Sequence, residues 1–323
     1  MDPRNLYISP LLTQLAVRWK NRAFIARQIF PEVPVSNDTF YYPVFDDAHV
    51  YRRTPTRYGH DASVNTLDFK VTKEVGKVED RGLGANIDQK EVKQAGAIIN
   101  AKTYKVEELL KAMALDLEIE IATMLRDTSV ITQNETLVGA AQWTDSSSDP
   151  QKYVIEKAAT LKLAPNVMVP SKTVHDKLCV HPKVREAVKF TDAAYDLDAL
   201  SAKMARYFGV KRYLVGEAFY DTSKEGQSQS LSYIWGDDVL LAHVAENVTP
   251  MMNEPSLGYL PQMGSPPGPD GSVPAAEAMF RVYEGAPDPR RGTGAGSMFV
   301  KVDASYKALL TAAKLGFLIK DAV

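Results

Sequence analysis

The chain has 323 residues, 45% of them hydrophobic and 24% charged, with a formal net charge of -2. That composition excludes a wholly disordered chain, and the near-neutral charge excludes nucleic-acid binding by bulk positive charge. The single cysteine, Cys179, excludes an intramolecular disulfide and a thiolate metal cluster.

Residues 1–35 read as an arm. Ser9-Pro10 opens it, the spacing from Leu11 to Ala26 predicts an amphipathic helix, and Pro31 and Pro34 stop it. Its first thirty residues carry Arg4, Arg18, Lys20, Arg22 and Arg27 against only Asp2. The stretch from Leu11 to Val17 is broken by Thr13 and Gln14 and does not read as a signal peptide. A mitochondrial transit peptide shares the basic bias but is richer in serine. A basic arm packing on a partner fits better, with Arg18, Arg22 and Arg27 as candidate contacts. No apolar run approaches the ~18 residues needed to cross a bilayer.

Residues 40–45, FYYPVF, are rich in strand-forming aromatics. Pro43 denies a ladder hydrogen bond, so this strand belongs at an edge. A polar run from Asp46 to Ala62 follows, with Arg52, Arg53 and Arg57. Leu67, Phe69 and Val71 then alternate with polar residues, the pattern of a half-buried strand. Together these predict a long hairpin, which alone is marginal in water. Tyr41, Phe45, Arg52, Arg53 and Arg57 are therefore candidate contacts to something outside the chain's own fold. The aromatic cluster could also stack bases, but packing on a neighbouring subunit is the preferred reading. Residues 70–93 mix six basic and five acidic side chains. They are either a solvated strand-turn region or an intersubunit ion-pair surface using Glu74, Lys77, Glu79 and Arg81.

A long helix is predicted over about 102–127, where neither Gly nor Pro occurs. Val106, Leu110, Met113, Leu117, Ile121 and Met124 form its stripe, and Leu109, Leu115, Ile119 and Leu125 widen it. At 1.5 Å per residue the helix spans roughly 39 Å. A second unit starts at Asp149, with a helix over 150–162, a short strand at 166–169 and a helix capped by Ser171. Pro182 starts a further helix, and Leu197 to Phe208 forms another. Residues 212–220, 231–235 and 239–244 read as strands, giving an α+β pattern. Residues 253–274 hold six prolines and four glycines and read as a loop or irregular strand. Strands are predicted at 278–283, 297–302 and 315–319, all pairing beside the long helix.

Several stretches carry a resemblance. VMVPSKTVHDKLCVHPKVREAVKFT (167–191), LSAKMARYFGVKRYLVGEAFYDTSKEG (200–226), YIWGDDVLLAHV (233–244) and AKLGFLIKDAV (313–323) are similar, in this order, to passages of the tailed-phage major capsid proteins of the Hong Kong 97-like fold. The resemblance implies an N-arm at 1–35 and an E-loop hairpin at 36–72. It implies a P-domain from 73–148 with 275–323, holding the spine helix and an antiparallel sheet, and an α+β A-domain at 149–274. It further implies pentamers and hexamers of identical subunits forming an icosahedral shell in the virion, assembled in the host cytoplasm. A separate scaffolding protein, a portal, decoration proteins and packaged double-stranded DNA would be partners, with no membrane. Lys70 and Lys73 sit near the hairpin base, so no crosslinking constellation is expected. An encapsulin-like compartment is the first alternative.

The second alternative is a small hydrolase using Cys179 and His181. His175, Cys179 and His181 are close in sequence, and positions 175 and 179 share a helix face. The preferred reading is a buried Cys179 with both histidines at the rim. The three lack a fourth ligand at zinc-finger spacing. Asp237-Asp238 reads as a turn, and GTGAG (292–296) lacks the Lys-Ser/Thr of a phosphate loop. No catalytic residue, cofactor or metal is expected.

Overall fold

The structure is a computed structural model and describes residues 6–8, 12–13, 16, 23–44, 57, 72–88, 101–189, 197–224, 226–263, 279–285 and 296–323. Strand β1 (Leu6–Ile8), a helical turn α1 (Ala26–Ile29), and strands β2 (Glu32–Val35), β3 (Thr39–Val44), β4 (Thr72–Lys77) and β5 (Glu79–Asp88) precede the spine helix α2 (Ala101–Arg126). Next come β6 (Asn134–Thr136), α3 (Pro150–Ala158), β7 (Val167–Pro170), α4 (Lys172–Val180), α5 (Pro182–Lys189) and α6 (Leu197–Phe208). Strands β8 (Arg212–Tyr213), β9 (Phe219–Asp221), β10 (Leu231–Tyr233), β11 (Val239–Ala242) and β12 (Gly258–Met263) follow. The chain closes with β13 (Arg281–Gly285), β14 (Ser297–Tyr306), β15 (Leu309–Leu310) and β16 (Gly316–Lys320). The class is α+β.

The spine forms where the stripe placed it. Val106, Leu110, Met113, Leu117, Ile121 and Leu125 are buried, and Leu109, Leu115, Ile119 and Met124 pack beside them. Full burial of each such side chain contributes about 1.5–3 kcal/mol. The spine lies on β5 and β14, which pair antiparallel over ten residues from Ser297↔Asp88 to Tyr306↔Glu79. These belong to a seven-stranded sheet of order β1-β13-β14-β12-β15, with β2 on β12 and β5 on β14.

A five-stranded sheet of order β6-β16-β11-β7-β8 separates two cores. Alternation along its strands does this directly. Val167, Val169, Leu240, Ala242 and Leu318 join the core that contains the spine. Met168, Val239, Leu241, Phe317 and Ile319 join a second core beneath α3, α4, α5 and α6, with Val154, Leu178, Val184 and Phe208. Ser171 caps α4 as expected, accepting from the Val174 N–H at 3.3 Å.

The structure changes five expectations. The arm helix was expected to run through Ala26; instead Phe24 and Ile25 are non-helical and a separate turn begins at Ala26. Residues 23–35 do not reach away from the subunit. Ile25, Ile29, Phe30 and Val33 are buried in the chain's own cores, and β2 runs parallel to β12 with Pro34 tolerated on that edge. Residues 258–263, left open as loop or irregular strand, form the nearly fully buried strand β12, because Tyr259 and Leu260 supply the apolar contacts that outweigh Pro261. The strand expected over 212–220 is split: β8 pairs with β7, while β9 pairs with β10 in another sheet. Finally, β16 does not pair beside the spine strands. It sits between β11 and β6 in the five-stranded sheet, because its residues are buried on both faces.

Candidate assembly interface

Two isolated two-stranded ribbons carry apolar side chains into solvent. In the first, β3 and β4 pair antiparallel with Tyr41↔Val75 and Tyr42↔Glu74. The return strand begins at Thr72, where the hairpin was expected to end, and the predicted strand at 67–71 lies outside the described residues. One face rests on the subunit. Tyr42 packs with Val33, Ala245, Met252 and Tyr259. Its hydroxyl donates to Glu74 Oε2 at 2.6 Å, and burial together with that carboxylate pushes the phenol up to about 12. Phe40 lies over Gly76, where any β-carbon would overlap its ring. The opposite face holds Tyr41, 71% exposed, and Val75, 60% exposed, directly across from one another. Lys73 and Lys77 flank them on the same face.

The second ribbon is β9 with β10, in register Phe219↔Tyr233 and Asp221↔Leu231. Alternation therefore places Phe219, Leu231 and Tyr233 on one face, and all three are exposed. Ala218 and Ile234 at its base are buried, so the ribbon is anchored while its outer face is bare.

The sequence-predicted contacts divide three ways. Tyr41, Lys77 and Arg57 face solvent. Arg27, Glu74, Glu79 and Arg81 already hold partners within the chain: Arg27 pairs with Glu32, Glu74 takes the Tyr42 hydroxyl, and Glu79 pairs with Arg81 and Lys307. Arg81 also bridges β5 to the spine through Glu120 at 2.6 Å and Asp116 at 3.3 Å. Its charge is thus used in holding β5 on α2. Arg18, Arg22, Phe45, Arg52 and Arg53 lie outside the described residues.

Sequence reasoning missed a polar hub at Asp238. Read as one half of a turn, Asp238 is 4% exposed. Its Oδ2 takes Arg126 Nε at 2.7 Å and lies 3.5 Å from Lys320 Nζ, and its Oδ1 accepts the Asp321 N–H at 3.3 Å. Arg126, the last spine residue, also donates to the Ile234 carbonyl at 2.9 Å. Gly236, at φ 55°, leaves the space that its guanidinium occupies. The Asp238 hub joins the spine, the 234–237 turn and β16. The Asp237 side chain is exposed and, among the described residues, accepts only the Thr173 hydroxyl, at 2.6 Å.

The His175–Cys179–His181 stretch reverses the expected burial. His175 and His181 are buried and Cys179 is half-buried. His175 shares a 3.0 Å hydrogen bond with the Tyr213 hydroxyl and lies 3.5 Å from Cys179 Sγ. His181 contacts the Ser148 hydroxyl and the Asp145 carbonyl. Burial pushes the Cys179 thiol up and the His175 imidazole down. A thiolate–imidazolium pair needs the opposite shifts. Cys179→Ala is therefore expected to leave particle formation unchanged in electron micrographs; loss of assembly would show the thiol to be structurally required.

No family model matches the chain. It is 27% identical over 318 residues to the major capsid protein of Pseudomonas phage JBD67, covering 98% of this chain and 97% of that protein. A phage-related protein from Bordetella bronchiseptica RB50 superposes with a TM-score of 0.72 at 24% identity, covering 98% of this chain and 97% of that one. The capsid of Cyanophage P-SCSP1u superposes at a TM-score of 0.56 and 10% identity, covering 94% and 89%. The chain is thus similar over nearly its whole length to a phage major capsid protein, and its α+β fold is of the Hong Kong 97-like kind.

Proposed function

We propose that the chain is the major capsid protein of a tailed double-stranded DNA bacteriophage, assembling as pentamers and hexamers into the icosahedral head shell. One observation carries this reading beside the homology: two anchored ribbons expose cross-strand apolar pairs, Tyr41–Val75 and Phe219–Tyr233, that nothing in the described chain covers. A two-stranded ribbon is marginal alone, and exposed apolar patches mark interaction surfaces. In this reading the β3–β4 face lies across an adjacent subunit, and its flanking lysines meet acidic side chains there. Many modest interfaces, repeated, then hold the shell. A separate scaffolding protein, a portal and non-specifically contacted DNA complete the assembly, which is built in the host cytoplasm.

Negative-stain electron microscopy of the purified chain tests this. Closed shells, or capsomers, are expected. A monodisperse monomer at high concentration overturns the reading, and small, uniform, DNA-free particles would favour a nanocompartment instead.

A further inference from the structure

Glu118 sits on the spine among the stripe residues and is fully buried. Its Oε2 accepts the Ile25 N–H at 3.0 Å and the Ala26 N–H at 2.8 Å, while its Oε1 accepts the Trp235 indole N–H at 2.8 Å. One side chain thus ties together the N-terminal segment, the spine and the turn after β10. The described charged groups nearest to these contacts in sequence are engaged elsewhere. Arg27 pairs with Glu32, Asp116 and Glu120 with Arg81, and Arg126 with Asp238, while Asp237 takes the Thr173 hydroxyl. Among the described residues no cation bonds Glu118. Among the described residues an anion here is held by three N–H groups alone, on a side chain with no exposed surface.

We propose that Glu118 is a proton-operated clasp, which holds residues 23–30 and the Trp235 turn on the spine while it is neutral and loosens them when it ionises. The neutral acid keeps all three bonds. Oε2, as the carbonyl oxygen, accepts both amides, and the Oε1 hydroxyl accepts the indole through a lone pair. Ionisation adds a buried charge without adding a partner. Burial accordingly pushes the carboxyl up to about 7, against the Ala26, Trp235 and Ile25 donors that favour the anion. Once undocked and hydrated, the group returns to its ordinary value of 4.5. The proton therefore binds the docked state more tightly. Docking is strongest below 4.5 and weakens as pH rises through about 7. The segment that loosens carries Ile25, Ile29 and Phe30, all buried when docked.

Hydrogen–deuterium exchange of the full chain at several pH values tests the clasp. After correction for intrinsic exchange, protection of the 25–30 amides is expected to fall about tenfold between about pH 6 and about pH 8. In Glu118→Gln, which cannot ionise, the same amides should show no such pH dependence. Flat protection in the wild type, protection that rises with pH, or an equal pH dependence in Glu118→Gln would overturn the proposal. Should Glu118→Gln fail to fold, difference infrared titration of the wild type decides. A neutral carboxyl band lost near pH 7 is expected; the absence of any carboxyl titrating above the ordinary range overturns it.

Discussion

Asp238→Ala is expected to lower the stability of the subunit by about 3 kcal/mol, the low end of the range for breaking a buried ion pair. The low end applies because Arg126 is 32% exposed, so water takes part of its orphaned charge. Lys320 and the Asp321 amide lose an acceptor in the same step. Denaturant unfolding should show an earlier midpoint with an unchanged slope. The neighbouring substitution Asp237→Ala is the control. That side chain is exposed and bonds only the Thr173 hydroxyl, so its loss should cost no more than about 1 kcal/mol. Equal effects of the two substitutions would mean that the hub contributes nothing special. The contrast is useful because the two residues are chemically identical and adjacent; only their placement differs.

Deleting Asp46 to Ala62 should abolish shell closure while leaving soluble subunits. The deletion falls within the segment between the two paired strands, residues 45–71, and spares the register from Thr39↔Lys77 to Val44↔Thr72. The base of the ribbon stays anchored through Tyr42 and Phe40 on the small core of Val33, Met252 and Tyr259. Folding should therefore survive, and circular dichroism should remain close to that of the intact chain. Normal particles in electron micrographs would show the hairpin tip to be dispensable and would remove the main support for an interlocking role.

Much of the fold was readable where side-chain period alone decides structure. The spine was placed to within one residue at each end, because its apolar stripe and its lack of Gly and Pro leave no competing conformation. The N-cap of α4 and the limits of α6 were equally clear, with Ser171 and Phe208 where the sequence put them. Long-range pairing was not readable. β12 carries Pro261 and sits beside a proline-rich stretch, so composition left it as loop or irregular strand, and its partners Glu32–Val35 lie far away in sequence. The same blindness hid Glu118 and Asp238. Each has other carboxylates beside it in sequence that stay more exposed, and only the tertiary fold supplies its donors. The burial of His175 and His181 was misjudged because helical spacing shows which residues share a face but not which face turns inward.

The five-stranded sheet has a consequence for biosynthesis. Its central pairs join residues far apart, as in Val239↔Ile319 and Leu240↔Leu318, and its strands wall off both apolar interiors at once. Neither interior is sealed before residues 316–320 leave the ribosome. Such non-local closure is slow relative to helix formation. Nascent chains therefore carry a finished spine with unfinished interiors through most of their synthesis, so that under the proposed shell reading competence to associate arrives late.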